Sequence, residues 1–456
     1  MHSLKFIAQP IQAIRFYAVV LALALLTASL LGALSARAEV SIQEVKGESG
    51  VTAWLVEDYS VPIITIRFSF EGGSTQDPDG KEGLAQLMSG LFDEGAGALD
   101  SDAFQIRLDD AGAEMIFGAG QDSIYGSMRM LADQKVEAFG LLEMAIEGPR
   151  FDQGPIDRIR AQIVSGIVAS ARDPDTAAQT KWSEALHGDH PYARPEEGTE
   201  KSLSAISAVD LRAFHKAIFA RSNLKVAMVG AIDATETARV LDQLFSGLPE
   251  APSLTPVAQS GWKLGQALRV DYDLPQTSLQ LAYPGVARDA PDFFAAYLMN
   301  EILGGGTFGS RLFEQVREQR GLAYSVGSSL VTREYASGLI IGTATRSDRA
   351  AETLKVIRDV VAGMAADGPT EAELAAVKKF VIGAYPINNL DSSSAIAGTL
   401  VSLQEDDLGI DYMQNRAAVI NAVTLDQVKA AAKKLLSAEP AIMVVGPAPA
   451  EGGSKG

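Results

Sequence analysis

Beyond residue 50 the chain alternates between two kinds of apolar pattern. Val51 to Val56 and Pro62 to Phe70 read as strands, and period-two alternation sets Ile64, Ile66, Phe68 and Phe70 on one face. A glycine turn follows at Gly72-Gly73, after which helical periodicity dominates, interrupted by strand-like runs at Ala113 to Met130 and Leu224 to Val229. The segment Leu248 to Gln259 is rich in Pro, Ser and Ala and reads as a linker, placed at 251–264 between an N-terminal domain of residues 39–250 and a C-terminal domain of residues 265–447. Past it the same order resumes, with a strand carrying Leu279, Leu281 and Tyr283 on one face, a helix over Pro291 to Leu303, and a glycine run at Gly304-Gly305-Gly306. Residues 448–456 are expected to form a tail.

The second half repeats the first. Gly95-Ala96-Gly97, Phe104 and Gly112 recur 209 positions later as Gly304-Gly305-Gly306, Phe313 and Gly321. Farther along, Ile206 to Leu211 leads through a helix into Val226 to Gly230, and Ile420 to Leu425 leads through a helix into Ile442 to Gly446, at offsets of 214 to 216. Two ordered sets of matches spanning both halves point to an internal duplication. The expected class is α+β, two similar domains each with a mixed, mainly antiparallel sheet covered by helices. Thr370 before Glu373 and Thr424 before Gln427 are capping-box signals that fix two helix starts.

The first 38 residues stand apart. Lys5 and Arg15 precede an apolar stretch from Phe16 to Leu34, followed by Ala36-Arg37-Ala38, the layout of a signal peptide cleaved before Glu39. That layout predicts a periplasmic protein; the alternative is that the apolar stretch stays as an anchor in the inner membrane. The leader carries three basic and no acidic residues, so its removal takes the net charge from −18 to about −21. Such a balance disfavours nucleic acid and anionic membrane surfaces as partners. The chain has no cysteine, hence no disulfide and no thiol nucleophile.

The densest chemistry lies in Gly304 to Val326, GGGTFGSRLFEQVREQRGLAYSV. No lysine follows the glycines at Walker spacing, and the dinucleotide fingerprint is absent, so nucleotide binding is disfavoured. Arg317 and Tyr324 stand seven residues apart. Taken alone, Arg317 could lie on a solvated helix face beside Glu314 and Glu318 while Tyr324 packs in a strand. The glycines could be a plain helix cap or could let a peptide backbone approach closely.

The whole stretch resembles the C-terminal-half motif of the pitrilysin/insulinase family of metallopeptidases. The resemblance implies that Arg317 and Tyr324 donate hydrogen bonds to a bound peptide and its developing oxyanion, with Gly304, Gly305 and Gly306 in a substrate-contacting loop. Preplaced donors act this way because they favour the charged transition state over the neutral ground state.

The first half lacks what that family needs for zinc. Its inverted motif, His-x-x-Glu-His, falls on Gly83 to Gly90, where the two histidine positions hold Gln86 and Gly90 and the glutamate position holds Ser89. The third ligand, a glutamate ahead of an Asp-x-x-Pro-like turn, falls near Ser165-Gly166-Ile167 before Asp173-Pro174, and no carboxylate stands there. His187 and His190 alone have ligand-like spacing, but Gly188 and Pro191 break the helix, and His190 to Pro195 is similar to a structural turn of the same family. No Gly-x-Ser-x-Gly elbow or acid–base carboxylate pair is evident, and Glu196-Glu197 and Glu405-Asp406-Asp407 read as solvated faces.

Together these features imply the zinc-free, substrate-binding subunit of a two-subunit peptidase. Zn2+ and its glutamate base are expected in a homologous partner with an intact His-x-x-Glu-His motif. The alternative is an inert peptide-binding or assembly protein of the same fold.

Overall fold

The computed structural model describes residues 41–306 and 309–448; the expected leader, residues 1–38, and the tail after residue 448 lie outside these. Strands β1 (Gln43–Lys46), β2 (Thr52–Glu57), β3 (Ile63–Glu71), β6 (Glu114–Ala119), β7 (Ser123–Leu131) and β8 (Leu224–Gly230) form one sheet in the order β1-β2-β8-β3-β7-β6. The short strands β4 (Gly95–Ala96) and β5 (Leu99–Asp100) pair with each other. Strands β9 (Ala267–Asp271), β10 (Gln276–Pro284), β11 (Ala323–Thr332), β12 (Ser337–Arg346) and β13 (Ala441–Gly446) form a second sheet in the order β11-β12-β10-β13-β9.

Read from the parallel end, the two sheets have one topology. β2 runs parallel to β8 as β9 does to β13, and the remaining shared pairs are antiparallel. The class is therefore α+β, with two sheet-containing domains, as the duplicated sequence implied. β6 begins at Glu114 and β11 at Ala323, an offset of 209, whereas β7 and β12 begin 214 apart. The change of offset falls in the hairpin, whose strands are six and nine residues long in the first half and ten each in the second.

Each sheet buries one face in the core of its own half. Ile64, Ile66, Phe68 and Phe70 are fully buried on the core side of β3, with the Phe68 ring edge-on to Phe117 at 5.6 Å and Phe245 at 5.9 Å. Leu281 and Tyr283 of β10 anchor the second core with Leu298, Met299 and Ile341.

The opposite faces are covered reciprocally. Helix Pro174–His187, from the first half, lays Ala178, Trp182 and Leu186 on Val270, Ala282, Met443 and Val445 of the second sheet. Helix Ser393–Glu405, from the second half, crosses β3 and β8 of the first sheet. There Ser393 shares a hydroxyl hydrogen bond of 3.0 Å with Thr65, the Ser69 hydroxyl donates to Glu405 at 2.5 Å, and the Gln404 amide donates to the Val226 carbonyl at 2.9 Å. These contacts explain why Thr65 and Ser69, polar positions on the far side of β3, are both buried at 2% exposure. Of Glu405-Asp406-Asp407, Glu405 and Asp407 are exposed as a solvated face requires, though Glu405 also accepts from Ser69, whereas Asp406 is half-buried and pairs with Arg288 at 3.0 Å.

Residues 251–264 carry no helix or strand. They are nonetheless fixed at several points, for example by the Thr255 amide donating to Gln76 at 2.7 Å and the Ser260 amide donating to the Tyr335 carbonyl at 2.7 Å.

Candidate functional site

The glycine run closes helix Phe293–Leu303. The amides of Gly304 and Gly305 both donate to the Asn300 carbonyl, at 2.9 and 3.0 Å, so the capping arrangement is realised here. Close approach explains the residue type: a Cβ on Gly304 would lie 2.7 Å from the Ser328 nitrogen, and one on Gly305 would lie 2.6 Å from Glu301 Cα. Gly304 thereby comes near enough to β11 to accept from the Ser328 amide at 2.8 Å. Gly306 differs, with φ +95° and open space around its missing Cβ.

Two backbone irregularities then set Arg317 and Tyr324. Phe313–Glu318 is a π-helix in which the Gln319 amide donates to the Glu314 carbonyl at 2.9 Å, five residues back. The turn beyond it passes through Gly321, left-handed at φ +58°. β11 then begins with a bulge: Ala323 pairs with Thr345 and Val326 with Thr343, so three steps on β11 oppose two on β12. The extra residue turns both Tyr324 and Ser325 outward, and Tyr324 is 84% exposed.

The bulge is held from below. Thr345 donates its hydroxyl to the Leu322 carbonyl at 2.6 Å, and Thr343 donates to the Ser325 carbonyl at 2.7 Å, satisfying acceptors next to the break in the ladder. Arg317 is positioned by rings. Its guanidinium lies 4.7 Å from the Phe313 ring centroid and 4.8 Å from that of Tyr324, while Glu318 is a looser neighbour at 3.7 Å. The structure thus brings Arg317, on the π-helix, beside Tyr324, on the sheet-edge strand β11, with fork and phenol both accessible.

Arg311, in the same motif, has a different task. It grips Glu373 with two hydrogen bonds of 2.7 and 2.8 Å and donates to the Gly368 carbonyl at 3.0 Å. Its guanidinium holds the Glu373 carboxyl down at about 2. The motif is thereby tied to the start of helix Glu371–Asn389. Phe313, Thr343 and Thr345 were not singled out for this role from sequence. Ring stacking across a π-helix and a bulge four residues deep has no linear signature, and threonines alternating in a strand are common.

The motif positions of the first half lie on the short helix Leu84–Ser89, whose start is capped by the buried Asp77 carboxyl accepting from the amides of Gly83 at 2.7 Å and Ala85 at 2.9 Å. Burial pushes that carboxyl up to about 7, against the pull of the amide donors. Gln86 is half-buried, Ser89 is buried with its hydroxyl on the Gln86 carbonyl at 2.9 Å, and Gly90 ends the helix. A Cβ on Gly90 would lie 3.0 Å from Ile159 Cγ2, on helix Gln153–Ser170, where Ser165 and Gly166 are exposed. An amide, a hydroxyl already bonded to backbone and a bare glycine do not fit a zinc ion. Among the described residues, no group of three or more His, Cys, Asp or Glu side chains is placed to hold a metal.

The histidines serve structure in this arrangement. His190 caps the turn Pro191–Ala193 by accepting from the Tyr192 amide at 3.1 Å, and its Nε2 meets the Ala258 carbonyl at 2.9 Å. Burial pushes His187 and His215 down to about 4, and His215 Nε2 lies 2.8 Å from the Ile146 carbonyl.

Comparison with known proteins identifies the family. Residues 205–381 match the family model described as the peptidase M16 inactive domain. A Mycobacterium leprae protein named an uncharacterized zinc protease is 30% identical over 351 residues, which is 75% of this chain and 77% of that one. A Helicobacter pylori protein named a non-peptidase homolog is 25% identical over 348 residues, 75% of this chain and 79% of its own. The crystal structure of a peptidase M16 inactive domain from Pseudomonas fluorescens superposes with a TM-score of 0.84 at 31% identity, covering 90% of this chain and 98% of that chain. On its shared topology, its C-terminal motif and these relatives, the chain belongs to the M16 peptidase family, the pitrilysin/insulinase type.

Proposed function

We propose that this chain is the non-catalytic, substrate-binding subunit of a periplasmic zinc peptidase complex. A homologous partner with an intact His-x-x-Glu-His motif would supply the metal and the base, while this chain holds the peptide. One observation carries the reading: a π-helix and a β-bulge present Arg317 and a largely exposed Tyr324 side by side at the edge of the second sheet. Two donors on an open strand edge suit an extended peptide, whose carbonyl gains negative charge when attacked. Gly306, open above its backbone, gives the peptide room to approach. The contents of the Gln86, Ser89 and Gly90 positions support a chain that does not cut alone.

The alternative, an inert peptide-binding or assembly protein, is favoured by the name of the Helicobacter relative, a non-peptidase homolog. The test is peptide cleavage by the co-purified complex with wild-type chain, Tyr324→Phe or Arg317→Ala. Loss of an oxyanion donor should lower kcat by about 10²-fold with assembly intact. Equal rates for all three would reject the substrate-binding role; absence of any zinc-bearing homologue in the purified complex would favour the assembly protein.

A further inference from the structure

A second concentration of arginines and rings lies away from the Arg317 edge. A cavity of about 610 Å³ opens between β3 and the helices of the second half, lined among others by Arg67, Arg288, Arg416, Tyr297, Tyr385 and Tyr412. A smaller cavity of about 280 Å³ shares Tyr297, Tyr385 and Arg416 with it and is bordered also by Glu301, Gly305 and Gly306. The combined size and the ring-rich wall are those of small-molecule sites.

The three guanidiniums differ in how they are compensated. Arg288 is fully engaged: it pairs with Asp406 at 3.0 Å, donates to the Tyr412 hydroxyl at 3.2 Å and lies 4.3 Å from the Phe293 ring centroid. Arg416 is only 8% exposed, yet among the described residues no carboxylate lies within ion-pair distance; it donates to the Val381 carbonyl at 3.1 Å and sits 4.2 Å from the Tyr385 ring centroid. Burial pushes the carboxyl of its neighbour Glu301 up to about 7, against the pull of Arg416. Arg67 is half-buried and lies over the Tyr125 ring at 5.1 Å, with no carboxylate partner among the described residues. Burying a guanidinium without an anion is costly, and a planar fork is the group that best takes a carboxylate in two parallel bonds.

We propose that this cavity binds an organic carboxylate with an apolar or aromatic body, Arg416 and Arg67 receiving the carboxylate and the tyrosine rings packing the body. The same chemistry is offered by the C-terminal residue of a peptide and by a free aromatic acid. Neither Arg317 nor Tyr324 lines either cavity, although Gly305 and Gly306 of the candidate substrate loop border the smaller one, and the proposal does not depend on the peptidase reading.

Isothermal titration of the full chain at pH 7.5 tests it with N-acetylphenylalanine, an acetylated pentapeptide ending in phenylalanine, the C-terminal amides of both, and inorganic phosphate. Each acid should bind at least about tenfold more tightly than its amide. Arg416→Met should remove that preference; Arg67→Met, at a less buried position, repeats the test if the first variant does not fold. A pentapeptide acid tighter than N-acetylphenylalanine identifies a peptide end as the occupant, and equal or weaker binding identifies a free acid. Acids and amides binding alike, phosphate binding as well as the acids, no acid binding below about 10 mM, or a preference unchanged in Arg67→Met would each overturn the proposal. Tyr324→Phe lies outside the cavity and should retain acid binding whatever it does to cleavage, which separates this outcome from the peptidase test.

Discussion

Trp182→Ala is the sharpest probe of how the two halves are joined. Trp182 sits on a helix of the first half but is fully buried against Val270, Met443 and Val445 of the second sheet. Truncating a buried tryptophan costs about 3–5 kcal/mol, through lost transfer energy and the cavity left behind. A cooperative unit of about 400 residues unfolds with an entropy near 0.8 kcal/mol per kelvin, so the loss should lower Tm by about 4–6 °C. The reciprocal helix on β3 and β8 means that loosening one cover exposes both sheets, so calorimetry should show the wild type and the variant each melting in one transition. Two resolved transitions in the wild type, or a shift below about 1 °C in the variant, would refute the reciprocal cover as the link between the halves.

Two further outcomes follow from the buried groups of the first half. The triple variant Gln86→His, Ser89→Glu, Gly90→His should not take up stoichiometric zinc by elemental analysis after dialysis, because a Cβ at 90 already meets Ile159 at 3.0 Å and Ser165-Gly166-Ile167 offers no third carboxylate; one zinc per chain would contradict this. His215 is held down at about 4 from an ordinary 6.5, so the unfolded chain takes up its proton first. The stability it contributes is present above pH 6.5 and is lost as pH falls towards 4, a loss of about 2 kcal/mol at pH 5. His215→Phe should therefore flatten the fall in Tm between pH 7.5 and 5; an unchanged slope would count against a neutral buried imidazole.

Much of this architecture was legible along the chain because it is local or repeated. Alternation at Ile64, Ile66, Phe68 and Phe70 marks a core-facing strand, Thr370 and Thr424 do cap their helices through reciprocal bonds with Glu373 and Gln427, and the offsets of 209 and 214 reappear in the strand starts. The burial of Thr65 and Ser69 could not be read, because the helix covering them arrives 328 and 336 residues later. The same distance hides the engagement of Glu405 and Asp406. Strand β1 at Gln43–Lys46 was also missed, since it is a four-residue edge with one buried side chain and carries no periodicity to detect. In the candidate site, the residue types and their spacing were visible, but the bulge that turns Tyr324 outward depends on cross-strand partners in β12.

The contrast between the two halves argues for retained use of the second. Where the zinc ligands are gone, the first half has closed up: a short helix ends on Gly90, and Ile159 packs at the place a ligand side chain would need. The Arg317 edge of the second half has not relaxed into regular structure. A π-helix and a bulge each give up ladder or helix hydrogen bonds, and such features persist where the surroundings hold them in place. Here Thr343, Thr345 and the Arg311–Glu373 pair do the holding, and the result is a phenol projecting into solvent beside a guanidinium. A sheet edge selected only for stability would gain by burying that tyrosine and straightening the strand. That it does neither is the physical reason to look for a peptide at Arg317 and Tyr324.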